Sequence, residues 1–95
     1  MDQERRSSAR LSRSAEVMMR SGQYRHAVPL VDMSEGGCQT EVAEHVEPGE
    51  RLFVTLPGLE PLEARVKWEN GWRAGFGFER AIHPAVFDHL AARIG

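Results

Sequence analysis

The sequence predicts an all-β fold: a six-stranded antiparallel β-barrel with one C-terminal α-helix packed on it. Three observations carry this expectation. Between residues 52 and 78, apolar and polar residues alternate with the period of two that a half-buried strand requires. Turn signals (Ser21-Gly22, Pro48-Gly49, Pro57-Gly58, Asn70-Gly71) punctuate the chain at hairpin-like intervals. At His83-Pro84 the period changes to that of an amphipathic helix, with proline at the first helical position.

Residues 1–14 are polar, with Ser7, Ser8, Ser12 and Ser14 set among arginines. They read as a flexible arm able to order on binding, and the barrel domain takes residues 15–95. Residues 16–20 read as the first strand, Ser21-Gly22 as a turn, and residues 23–31 as the return strand. Pro29 inside that strand implies a sheet edge or a bulge. The next stretch, Val31-Asp32-Met33-Ser34-Glu35-Gly36-Gly37-Cys38, reads as a tight polar connection. Gly36 and Gly37 permit φ > 0 and close backbone approach. Asp32 and Ser34 can accept hydrogen bonds from the N–H groups just after them, and successive N–H groups in such a turn can line an anion site.

Cys38, Thr40 and Val42 alternate with Gln39 and Glu41 in a third strand. Residues 44–50 form an acidic loop, and Leu52, Val54 and Leu56 mark a fourth strand. The clearest strand places Leu62, Ala64, Val66 and Trp68 on one face and Glu63, Arg65, Lys67 and Glu69 on the other. Asn70-Gly71 is the signal of a two-residue hairpin. After it, Trp72, Ala74, Phe76 and Phe78 share an apolar face, while Arg73, Gly75 and Gly77 leave the opposite face nearly bare. Glycines there suit a strand curving into a closed barrel. Val86, Leu90 and Ile94, with Phe87 and Ala91 beside them, form the apolar stripe of the helix.

Length and composition bound the function. Ninety-five residues make one domain with one modest core. No apolar run approaches the ~20 residues that span a bilayer, so no membrane insertion is expected. The charged N-terminus has no apolar run of a secretory signal, and a single cysteine excludes an internal disulfide, so a cytoplasmic, reducing setting is expected. The net charge of −2 is unevenly placed: residues 1–25 carry +3 and the remainder −5. A basic arm on an acidic body suits a small anionic partner rather than a nucleic acid polymer. Eleven of the twelve basic residues are arginine, which favours bidentate recognition of phosphates and base edges.

Catalytic and metal constellations are not apparent. His26, His45, His83 and His89 lie far apart, and none pairs with Cys38 at a metal-ligand spacing. Ser34 lacks a nucleophile-elbow context and Cys38 an evident base, so Cys38 reads as a small buried apolar residue and no enzyme is expected. Trp68, Phe76 and Phe78 read as core; Trp72, beside a turn, reads as core or rim. In the arm, Arg6-Ser7-Ser8-Ala9-Arg10 has the form Arg-x-x-x-Arg, with Arg5 just before it. Two guanidinium groups facing Asp32 and the amides of residues 34–37 would offer forks for phosphate and for the O6/N7 edge of guanine. They would also offer planar cations to stack on a base, and Asp32 a carboxylate for guanine N–H donors.

These two motifs, Arg6 to Arg10 and then Asp32-Met33-Ser34-Glu35-Gly36-Gly37, resemble those of the PilZ domains. The later Val66-x-Trp68, the run Gly75-Phe76-Gly77-Phe78 and the C-terminal helix also look like that family, over nearly the whole chain. The resemblance implies a six-stranded barrel that binds the bacterial second messenger cyclic di-GMP and needs no cofactor. By motif position it implies that Arg6 and Arg10 hold guanine and phosphate groups, with Arg5 as a flanking candidate. Asp32 and Ser34 would contact the ligand from the barrel face, and Gly37 would give the backbone room to approach. Single-domain members of the family act through an effector protein that the sequence does not name. Three readings follow: a cyclic di-GMP receptor, a PilZ-fold protein-interaction adaptor that does not require the nucleotide, and a small barrel binding single-stranded nucleic acid. The acidic body and the lack of an aromatic ladder count against the third.

Overall fold

The computed structural model describes residues 15–42 and 44–94. Among these residues six strands, β1 (Glu16–Ser21), β2 (Tyr24–Ser34), β3 (Gly37–Glu41), β4 (Arg51–Thr55), β5 (Leu62–Glu69) and β6 (Arg73–Phe78), precede one helix, α1 (Pro84–Ile94). The strands close a barrel in the order β1-β2-β3-β6-β5-β4, with β4 returning to β1 and every pair antiparallel. Among the described residues, closure leaves no edge strand.

The alternation read from the sequence becomes the inside and outside of this barrel. Val17, Val28, Leu30, Leu52, Val54, Ala64, Val66, Ala74 and Phe76 are buried in one core. Phe87 and Leu90 of α1 and Ile82 before it belong to the same cluster, so the helix packs on the barrel as expected. His83 caps the helix: its Nδ1 accepts from the Ala85 N–H at 3.0 Å, and Arg93 lies in the last turn, where its charge suits the helix dipole. Val86, placed on the apolar stripe by its spacing, is instead exposed; the buried face is narrower and runs through Phe87, Leu90 and Ala91.

Several local expectations are corrected. Pro29 is at no sheet edge: it pairs with Glu16 in β1 and sits just beyond the last β2–β3 pair, Leu30 with Thr40, so its missing N–H interrupts no ladder. The bulge reading holds, because the β2–β3 register shifts between Leu30 and Asp32. The central polar connection is shorter than the sequence suggested. β2 continues through Ser34, which pairs with Gly37, and only Glu35 and Gly36 form the turn. Neither Gly36 nor Gly37 has positive φ. The β5–β6 hairpin has a two-residue turn, but placed one residue later than Asn70-Gly71: the Asn70 N–H donates to the Arg73 carbonyl at 3.0 Å, which leaves Gly71 and Trp72 in the turn. The Asn70 side chain ties it, accepting from the Trp72 and Arg73 N–H groups at 3.1 and 2.9 Å. Trp72 is 79% exposed and joins neither core nor rim. Phe78 is only half-buried.

Candidate functional site

Two β-bulges build the site. In a regular strand, Asp32 would point the same way as the buried Leu30. The register shift after Leu30 makes Val31 the extra residue, which turns Asp32 and Ser34 outward and Met33 into the core. A second shift lies in β5 between Val66 and Trp68, with Lys67 the extra residue. It turns Trp68 outward to 39% exposure, contrary to its assignment to the core. Strand pairing then sets a row across the outer wall: Asp32 opposite Gln39, Gln39 opposite Gly75, and Gly75 opposite Trp68. A second row runs from Ser34 to Gly37 to Gly77.

Glycines clear the floor between these flanks. A side chain on Gly75 would occupy the place of the Trp68 indole, and a Cβ on Gly77 would lie 2.5 Å from the Lys67 Cε. A Cβ on Gly37 would collide with the Phe76 carbonyl, so the close backbone approach expected there is present. The result is an open cleft of about 280 Å³ lined by Asp32, Ser34, Gly37, Lys67, Trp68 and Gly75, among others. Local hydrogen bonds orient its polar wall. Asp32 Oδ1 accepts from the Met33 N–H at 2.9 Å and Ser34 Oγ from the Gly36 N–H at 3.3 Å, as the sequence suggested. The Gly36 amide is thereby engaged within the turn instead of being presented to an anion.

The structure thus brings together Asp32, Ser34 and Gly37. Arg5, Arg6 and Arg10, and the expectation of a flexible arm over 1–14, lie outside the described residues. The arm's point of attachment is described: the Leu30 N–H donates to the Ala15 carbonyl at 2.9 Å, two positions before Asp32 in β2. Sequence reasoning missed Gln39, Lys67, Trp68 and Gly75. A usable signal was present, because the bare face read after Asn70-Gly71 includes Gly75, which lines the cleft, and Lys67 is the chain's single lysine.

The wall offers a carboxylate, a hydroxyl, an ammonium and an indole face over bare backbone, a set suited to holding a flat polar anion. Among the described residues no group of His, Cys, Asp or Glu is arranged to hold a metal ion. Cys38 is buried behind the cleft, and burial pushes its thiol up to about 12, which makes it inert as a nucleophile. The family model for the PilZ domain matches residues 4–94. The chain belongs to the PilZ domain family. PilZ domains are non-catalytic ligand-binding domains known for binding cyclic di-GMP. A search of curated proteins found no match to this PilZ domain. Among the described residues no helix is long and apolar enough to cross a membrane.

Proposed function

We propose that this PilZ domain binds cyclic di-GMP on the wall formed by β2, β3, β6 and β5 and relays the signal to an effector protein in the cytoplasm, without catalysis and without a cofactor. The observation that carries the reading is the meeting of Asp32, Ser34 and Gly37 with Trp68 and Lys67 in one cleft. Asp32 accepts from guanine N–H donors, and Trp68 gives a base a face to stack on. Lys67 serves a phosphate as a point charge. Gly37 lets β3 lie close against β6, and Gly75 makes room for the Trp68 indole on the wall. At about 280 Å³ the cleft is small beside ligand sites of roughly 300–1,000 Å³, so the ligand lies partly open. The arm, joined beside the cleft at Ala15, supplies the remaining contacts: Arg6 and Arg10 as forks to guanine O6/N7 and phosphate, with Arg5 flanking.

Calorimetric titration of the purified protein with cyclic di-GMP, with GTP and cyclic di-AMP as controls, tests this. Saturable binding of cyclic di-GMP alone is expected. No heat at high micromolar ligand overturns it in favour of the nucleotide-independent adaptor.

A further inference from the structure

A second cavity, of about 270 Å³, lies at the opposite end of β2 from the cleft. It is the mouth of the barrel. Met19, Val28 and Leu52 point inward and are buried, and they form its floor with Val46 from the 44–50 loop. The next positions on the same side are polar: Ser21 of β1, Tyr24 and His26 of β2, and Glu50 just before β4. Glu44 completes the rim, 2.7 Å from His26 Nε2, and Glu50 accepts from the Ser21 hydroxyl at 2.7 Å. Tyr24 stacks on His26 with ring centroids 6.4 Å apart, yet stays 63% exposed. His45 also lines the cavity, with Glu47 and Glu69 held on its own ring nitrogens at 2.8 and 3.3 Å. Among the described residues no lysine or arginine lines this mouth.

We propose that the barrel mouth is a socket for one arginine side chain on an exposed segment of a partner protein. At about 270 Å³ the cavity has room for one long side chain. Charge complementarity selects a cation. The apolar floor takes a methylene stem while the carboxylates Glu44 and Glu50 take the charged head. The exposed Tyr24 ring selects arginine over lysine, since a planar guanidinium stacks on an aromatic face and forks to carboxylates. A buried arginine anchor of this kind is the type of residue that dominates protein interfaces. The socket does not depend on the nucleotide reading, as none of its lining residues lines the cleft.

The test is NMR titration of the ¹⁵N-labelled full chain with the blocked peptide acetyl-Gly-Arg-Gly-amide and with its citrulline counterpart, which has the same shape without the charge. The arginine peptide is expected to give saturable shifts at the amides of Ser21, Tyr24, His26 and Val46. The citrulline peptide, and the variants Glu44→Gln and Tyr24→Ala, are expected to bind at least about threefold more weakly. Both altered side chains are exposed, so neither variant threatens the fold. Equal binding of the two peptides, shifts mapping only to the Asp32 cleft, or unchanged affinity in both variants overturns the socket. The four-fold variant Arg5→Gln, Arg6→Gln, Arg10→Gln, Arg13→Gln is recorded without peptide. Unmoved mouth amides support a partner's arginine. Moved ones assign the socket to the arm of this chain, or of a second copy if the change grows with protein concentration, and overturn the partner assignment.

Discussion

Gly37 and Gly36 stand side by side in the motif but have different physical duties. A Cβ at Gly37 meets the carbonyl of Phe76, a backbone atom that cannot swing aside, whereas a Cβ at Gly36 meets nothing within 4 Å. Gly37→Ala is therefore expected to destabilise the protein by about 1–3 kcal/mol, the usual cost of overpacking. Gly36→Ala is expected to be neutral or to stabilise by about 0.4–1 kcal/mol, because its φ is ordinary and alanine restricts the unfolded chain. Urea denaturation of both variants reads the contrast directly, and equal midpoints would contradict it. Thr40 supplies a second residue-scale test. It is fully buried, and its hydroxyl has no hydrogen-bond partner among the described residues. Thr40→Val keeps the shape and removes the unsatisfied group, so a gain of about 1 kcal/mol is expected in the same assay.

At the scale of elements, the bulges of β2 and β5 decide which side chains reach solvent. Trp68 faces out over Gly75, while Trp72 stands on the β5–β6 connection outside the cleft. Under the proposed function, cyclic di-GMP quenches Trp68 fluorescence. The quenching is expected to persist in Trp72→Ala and to vanish in Trp68→Ala, with a loss of about 1–3 kcal/mol in binding from the missing stack. Quenching that survives in Trp68→Ala removes the tryptophan from the site. The arm is judged in the same buffer by calorimetry. Arg6→Ala and Arg10→Ala should each bind at least about tenfold more weakly, close to 1.4 kcal/mol. Arg6→Lys should also bind more weakly, because a point charge cannot fork to a base edge. Asp32→Ala should erode the preference for guanine over adenine. Arg93→Ala, on the exposed side of α1, serves as the control expected to change little.

For the molecule as a whole, closure of the barrel seals Cys38 inside and couples its ionisation to folding. Its thiol sits at about 12 in the folded protein against 9.0 ordinarily, because burial penalises the thiolate. The unfolded chain therefore releases this proton first as pH rises. The contribution is fully present below about pH 9 and is lost progressively between 9 and about 12. Denaturation midpoints are expected to fall across that window. Cys38→Ala is expected to fall less steeply, whatever its absolute stability, and parallel curves would contradict the coupling. The same barrel gives β2 two roles. Its first residues, Tyr24 and His26, line the mouth, and its last, Asp32 and Ser34, line the cleft, so one strand joins both surfaces.

The sequence by itself determined the fold class, the order of six strands and a helix, and half of the cleft. Period-two alternation, turn residues and the change of period at Pro84 are local properties, and local properties can be read along a chain. Asp32, Ser34 and Gly37 were legible for a related reason: they fall within six consecutive residues. Only the tertiary structure decided the other half. Lys67, Trp68 and Gly75 come from two later strands and reach the motif through cross-strand pairing. The bulge at Lys67 inserts one residue into an otherwise regular alternation. Because a strand's side-chain period is two, that one residue moved Trp68 from the expected core to the outer wall.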